Sequence, residues 1–339
     1  MRLNEDEKEF SNYVLRVGDG NPLPNEVNES DEDEEDQLIS IDRMLVEEIS
    51  SDSHKQILET TYGRTNQWKG TKQDYTKMAI LTPRNETVDE INEYMISQAD
   101  GVSKEYLSSD SFGMIDTDSE NNETLYPVEY LNSLSFPGLP AHKLTLKVGA
   151  PFKLLRNLNQ KKGLCNGTRL IVTYLGQLVI QGEIVTGSHI GHKVFLPRIM
   201  LSESVTKHLF TLERRQPIRL CYAMTINKSQ GQSLKCVLLY LPQPVFTHGQ
   251  LYVGLSRVTT KSGLKIIQGK DQKIGRVKNI VYKEIYNGLP HSPGNPLLFA
   301  TQYTTLSKNT KFLSLSPPES RSDAHPEQTP RNHEQLSIP

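Results

Sequence analysis

The chain of 339 residues carries 38 Lys+Arg against 40 Asp+Glu, a formal net charge of −2, with 36% hydrophobic residues and a single Trp. That is room for one large or two ordinary domains with polar tails, and no apolar run approaches the roughly 18 residues of a membrane span. The acidic start MRLNEDEKEF is no secretory leader, and Cys165, Cys221 and Cys236 are too few for a disulfide framework and lack CxxC spacing, so a reduced, intracellular setting with buried cysteines is expected.

The near-neutral sum hides a division. Residues 1–142 hold 11 Lys+Arg against 31 Asp+Glu, whereas 143–236 hold 15 against 3. A basic window that also carries strand patterns is what a phosphate backbone would meet, although a basic surface with no partner has the same composition.

In chain order, an acidic loop at about 26–37 precedes a helix expected over 41–58 from Leu45, Ile49 and Ile57. Residues 78–81 form an apolar strand stopped by Thr82-Pro83-Arg84-Asn85. A helix with Val88, Ile91 and Met95 on its buried stripe follows, capped by Asn85 or by the box Thr87-x-x-Glu90. Strand, polar turn, helix is the α/β unit that places ligands at the strand's carboxyl end. Residues 100–142 read as a long polar insertion without structure, with Pro127, Pro137 and Pro140. Short strands at 151–156, 168–174, 178–180, 183–186 and 193–199, with the turn signal Asn166-Gly167, suggest a small barrel or curled sheet inserted between α/β segments.

Leu220, Tyr222, Met224 and Ile226 then alternate at period two before the turn 227–232, and 234–241 is short enough for a buried strand. His248, Leu251, Leu255 and Val258 recur at helical spacing beside a stripe of Gln250, Gly254 and Arg257, where the glycine would leave a low spot for a ligand. A strand at 264–267, a closing helix at 274–286 and a poorly ordered tail complete the chain.

The phosphate loop GxxxxGK[ST] is absent; Gly263 to Gly269-Lys270-Asp271 has the wrong spacing and an aspartate where magnesium needs a hydroxyl. No apolar strand ends in paired carboxylates, and HExxH, GxSxG and zinc-deaminase spacings are missing. His142, His189, His192 and His248 are expected as surface or core residues rather than ligands.

Five stretches in order carry a resemblance: LTPRN at 81–85, VGAP through LLRNL at 148–158, GLCNGTRL at 163–170, TINKSQGQSL at 225–234 and QLYVGLSRVT at 250–259. Together they resemble the carboxy-terminal half of a Pif-type DNA helicase, of the superfamily-1 branch moving 5′ to 3′, nearest the plant and Helitron versions, over roughly residues 1–270. The resemblance implies an α/β fold: a second RecA-like domain of P-loop-NTPase type with an inserted Src-homology-3-like β-barrel. The domain would begin in 1–155, the barrel would occupy 156–215, the domain would resume over 216–288 with the last two helicase motifs, and 289–339 would be a disordered tail.

By the same resemblance Arg257 is the arginine finger at the γ-phosphate and Arg2 a second nucleotide contact, while Gln230, Gly231, Gln232 and Gly254 belong to the nucleotide side. Thr82, Arg84, Asn85, Thr225, Asn227, Lys228 and Ser229 would contact DNA, with Asn227 where the family often has histidine. ATP and Mg2+ are the implied cofactors, the magnesium-holding acids lying outside these residues. Single-stranded and forked DNA are the implied partners, and nucleus or mitochondrion the implied location. The family implies roles in repair, recombination and telomere maintenance. Lacking the phosphate loop, the chain is expected to be inactive alone, as a fragment or with the first RecA-like domain supplied in trans. The alternative is a non-enzymatic single-strand-binding module or transposon-derived remnant.

Overall fold

The computed structural model describes residues 5–20, 36–63, 75, 77–114, 127–136, 138–204, 210–270 and 272–282. Arg2, most of the acidic loop and the tail from 289 lie outside them. By contacts the chain divides into Met1–Asn287 and Gly288–Pro339; all that follows concerns the first unit.

Helix α1 (Glu5–Asp19), strands β1 (Asp36–Ser40) and β2 (Val46–Glu48), helix α2 (Ser53–Tyr62), strand β3 (Met78–Thr82) and helix α3 (Asn85–Gln98) come first. Next are β4 (Lys104–Leu107), β5 (Asp110–Met114), α4 (Val128–Ser133) and β6 (Lys143–Leu146). A run of strands follows: β7 (Pro151–Leu154), β8 (Arg169–Leu175), β9 (Val179–Ile184), β10 (Lys193–Pro197), β11 (Leu201–Ser204), β12 (Phe210–Arg214) and β13 (Ile218–Leu220). Strands β14 (Ala223–Thr225) and β15 (Cys236–Leu241), helix α5 (Gln250–Leu255), and strands β16 (Leu264–Gln268) and β17 (Arg276–Ile280) close the order.

The organising layer is a parallel five-stranded sheet in the order β14-β3-β15-β16-β2. β3 (MAILT) and β15 (CVLLYL) are apolar along nearly their whole length, as strands covered on both faces must be. Alternation sorts their side chains. Ile80, Leu238, Tyr240 and Ile267 pack with Ile57 and Leu58 of α2 and with Val88, Ile91 and Met95 of α3. Ala79, Leu81, Val237, Leu239, Leu241 and Ile266 pack on the opposite face with Phe10, Val14 and Val17 of α1 and with Leu251 and Leu255 of α5. The result is a helix–sheet–helix sandwich.

A second five-stranded sheet, antiparallel, runs β10-β9-β8-β7-β13. It is open rather than a closed barrel: β10 and β13 are its edges, and its strands extend from Pro151 to Leu220, wider than 156–215. The two strands expected at 178–180 and 183–186 are one strand, β9. A bulge between Val172 and Tyr174 bends the sheet. Gly182 lets Phe152 lie across it, because a Cβ there would stand 2.6 Å from the Phe152 ring. Phe152, Leu154 and Leu170 join the α2–α3 core, so the two sheets share one interior.

Four other expectations give way. The insertion 100–142 contains β4, β5 and α4, with β5 extending a small sheet β11-β12-β5 and β4 pairing β6. The helix expected over 41–58 is a short 3-10 turn (Arg43–Leu45), then β2, then α2, whose N-cap is Asp52 accepting from Lys55 N at 3.2 Å. The closing helix is β17, antiparallel to β1. The capping box is unused: the N-cap of α3 is Arg84, extended at φ −111°, ψ 150°, with no side-chain cap bond. Of the cysteines only Cys221 is buried; Cys165 and Cys236 are half-exposed, and all three are free. Among the described residues no helix is long and apolar enough to cross a membrane.

Candidate functional site

The carboxyl ends of a parallel sheet are where loops are free to converge on a ligand. Here β3 ends at Thr82 and β14 at Thr225, and these two are directly paired across the strands. Pro83 stops β3, and α3 starts two residues later, so Arg84 and Asn85 are exposed at the same rim as Asn227 and Lys228. Thr82 is fully buried with an unpartnered hydroxyl, and Ser229 is fully buried with its hydroxyl donating to the Ile226 carbonyl at 2.6 Å. Of the seven predicted DNA contacts, these two side chains therefore face inward. Thr225 is half-buried.

One residue of the rim, Phe246, lies outside the motif stretches. The Arg84 guanidinium lies over the Phe246 ring, 5.2 Å from its centroid, and Phe246 is 49% exposed. A half-open aromatic beside a cation is a surface on which bases stack. Gln250, 1% exposed, fixes the loop that carries it: its Oε1 accepts from Phe246 N at 3.1 Å, and its Nε2 reaches Asn227 Oδ1 at 3.5 Å. An exposed Phe in the stretch LPQPVFTHG was the available signal.

The turn after β14 begins as a 3-10 helix, Ile226–Ser229, and passes through Gly231 at φ +80°, where a Cβ would meet nothing within 4 Å. Arg257 closes on this turn from beyond α5. Its Nη1 donates to the carbonyls of Ser229 (3.3 Å) and Gln232 (3.0 Å), its Nε to Val253 O (2.8 Å) and its Nη2 to Ser256 Oγ (2.8 Å). Burial pushes its pKa down, with the Tyr252 phenol opposing; an arginine starts so high that it stays cationic. Gln230 is exposed and Gln232 half-buried beside it. Gly254 is not a low spot open to ligand: it is buried, and a Cβ there would stand 3.2 Å from Leu239 Cδ1 and 3.6 Å from Ile226 Cγ2. Its job is to let α5 sit close on β15.

Arg257 spends its Nε, Nη1 and one Nη2 N–H on protein acceptors, so the ATP reading needs a phosphate to take the place of some of these bonds. Among the described residues no three His, Cys, Asp or Glu side chains stand together to hold a metal ion. His248 accepts from Tyr282 N at 2.9 Å and stacks on that ring, and burial lowers its pKa.

The parallel sheet with helices on both faces is an α/β fold, and its carboxyl rim carries the exposed Arg84 and Lys228 with the half-exposed Phe246. The model of the DNA helicase Pif1 2B domain matches residues 129–175, the stretch from α4 into β8. The zebrafish (Danio rerio) ATP-dependent DNA helicase PIF1 is 31% identical over 187 residues, covering 55% of this chain and 27% of that protein. The Homo sapiens protein of the same name is 35% identical over 133 residues, covering 37% and 19%. Among solved structures, the Pif1 helicase from Candida albicans aligns at TM-score 0.49 and 17% identity, covering 82% of this chain and 56% of that one. Bacteroides Pif1 bound to ssDNA aligns at 0.46 and 20%, covering 91% and 56%. The chain resembles the Pif1-type DNA helicases, and it spans about a quarter of the zebrafish protein's length.

Proposed function

We propose that the chain is the second RecA-like part of an ATP-dependent DNA helicase that translocates on single-stranded DNA, its antiparallel sheet corresponding to the inserted Src-homology-3-like module. The observation that carries this reading is the bonding of Arg257 to the Ser229 and Gln232 carbonyls. One guanidinium then braces the turn whose other end presents Asn227 and Lys228 to the rim shared with Arg84 and Phe246. ATP, when bound, would supply the free energy that closes and opens such domains. Arg257 would place fixed positive charge at the γ-phosphate, and the exchange of its carbonyl bonds for phosphate oxygens would change the hold on the turn. Lys228 and Arg84 would hold backbone phosphates while Phe246 stacks a base, so grip would be weakly sequence-specific and salt-sensitive. Forked DNA would be engaged through the same strand contacts.

The test is the salt dependence of single-strand binding. Neutralising Lys228 and Arg84 together, as Lys228→Ala with Arg84→Ala, is expected to flatten the log–log slope by up to about 1.4, at ~0.7 per phosphate on single strands. An unchanged slope removes both from the DNA path. A second reading, a single-strand-binding module without hydrolysis, is favoured by one observation: no GxxxxGK[ST] occurs in the 339 residues.

A further inference from the structure

Arg169 opens β8 with a side chain that its surroundings do not satisfy. It is 1% exposed, and its Nε, Nη1 and Nη2 are all buried without a hydrogen-bond partner. Removing an ion from water without pairing it is costly enough that folded chains either pair it or give it a ligand. The register shows what surrounds it. Arg169 is directly opposite Lys153 on β7, and Lys153 is directly opposite Arg219 on β13. Opposed residues of an antiparallel ladder share a face, so the three cations form one row across the sheet. Their neighbours Phe152, Leu170 and Leu220 point to the other face, into the core.

Asp89 of α3 faces this row and is bonded to Arg219, with Nε to Oδ1 at 3.1 Å. Lys228, on the rim, lies close enough to act on Lys153. Burial lowers the Lys153 pKa, and Arg219, Lys228 and Arg169 push the same way, against Cys221. Four cations thus lie in one neighbourhood, Arg219 paired with Asp89 and Arg169, the deepest of them, without a hydrogen-bond partner.

We propose that Arg169 and Lys153, flanked by Arg219 and Lys228, form a phosphate-binding site on the antiparallel sheet. A guanidinium fork and an ammonium from adjacent strands match a group that offers several oxygens to both. The phosphate comes either from a nucleic-acid backbone continuing past Lys228, which rests on the function proposed above, or from a free phosphate or nucleotide.

Two measurements on the full 339-residue chain test the site. The first is the thermal midpoint with inorganic phosphate against chloride at equal ionic strength. The wild-type midpoint is expected to rise, because a ligand of the folded state alone stabilises it, and the rise should vanish in Arg169→Met and Lys153→Met. The second is binding of a labelled single-stranded oligonucleotide across salt, where either variant should lower the slope by ~0.7. Loss of both effects supports the site with a nucleic-acid source. Loss of the phosphate effect alone, with an unchanged slope, supports it with a free source. A phosphate effect in a chain that binds no oligonucleotide keeps the site and sinks the DNA reading. A wild-type midpoint indifferent to phosphate, with unchanged slopes in both variants while Lys228→Ala weakens binding, overturns the site and leaves the DNA reading standing. If Arg169→Met fails to fold, Lys153→Met on the more open cation carries the same comparison.

Discussion

Arg214→Ala is expected to destabilise the folded chain by about 3–5 kcal/mol, the cost of leaving a buried ion without its partner. Arg214 and Asp110 are directly opposed on β12 and β5, and both side chains are shut away from solvent. The guanidinium Nε donates to both carboxylate oxygens at 3.1 Å and Nη2 to Oδ2 at 2.8 Å. The remaining N–H groups reach the carbonyls of Pro140 (2.7 Å), Leu131 (3.1 Å) and Leu134 (3.2 Å). One side chain therefore ties β5, β12, the end of α4 and the loop before β6. Denaturant unfolding of Arg214→Ala should show the lower midpoint. The pair Arg214→Met with Asp110→Leu should lose far less, because no charge is stranded. A single-variant loss under about 1 kcal/mol would mean that Ser108 and His142 suffice for Asp110, and the brace assignment fails.

The same cluster sets an acid limit. Burial alone would raise the Asp110 carboxyl, but hydrogen bonds from Arg214, Ser108 and His142, with the Arg214 charge, outweigh it and hold the group below its ordinary value. A depressed folded pKa contributes stability that is present above the unfolded pKa and is lost as pH falls through the folded one. Arg214→Ala should therefore unfold at a higher pH in an acid titration than wild type. The cluster is no hydrolytic triad: Ser108 Oγ (2.9 Å) and Asp110 Oδ2 (3.0 Å) meet the same ring nitrogen of His142, whereas a relay needs them on opposite nitrogens.

What was legible in the sequence was local. β3 and β15 announce themselves as apolar runs, Pro83 marks the end of β3, and the stripe Val88, Ile91, Met95 is the buried face of α3. The misread segments depend on partners far away. The segment expected as a closing helix over 274–286 holds β17, whose partner β1 lies some 240 residues earlier in the chain, and the buried Asn279 donates from Nδ2 to Val17 O at 2.9 Å. Leu220 to Ile226 looked like one alternating strand. It is the end of β13 and the whole of β14, in two different sheets, with Tyr222, Ala223 and Met224 all buried in succession. Charge counting was partly misleading as well. Of the basic window's 15 cations, Arg169 and Arg214 are buried and Arg219 is paired, so the window's surface is less positive than its composition. Arg84, Asn85, Asn227 and Lys228, exposed at the rim, lie in the motif stretches, whereas Thr82 and Ser229 of the same stretches face inward; Phe246 and Arg84 meeting was not legible, because 162 residues separate them in sequence.

The 339-residue chain alone is expected to show no DNA-stimulated ATP hydrolysis. In a protein joining it to a phosphate-loop domain, Arg257→Ala should lower turnover by about 10³–10⁵, the range for an arginine finger. Arg257→Lys should recover little. An ammonium keeps the charge, but it lacks the planar fork that reaches Ser229 O, Gln232 O and Val253 O together. Nucleotide affinity should fall much less than turnover if the guanidinium acts mainly on charge shifting in the transition state. The strand-binding salt slope should stay near wild type in both variants, since both leave Lys228 and Arg84 in place. A turnover within tenfold of wild type for Arg257→Ala would reduce the residue to a brace for the 229–232 turn. In that case its bonds to the Ser229 and Gln232 carbonyls would be its whole role at the turn, and the reading of the chain as the arginine side of an ATP site would fall with it.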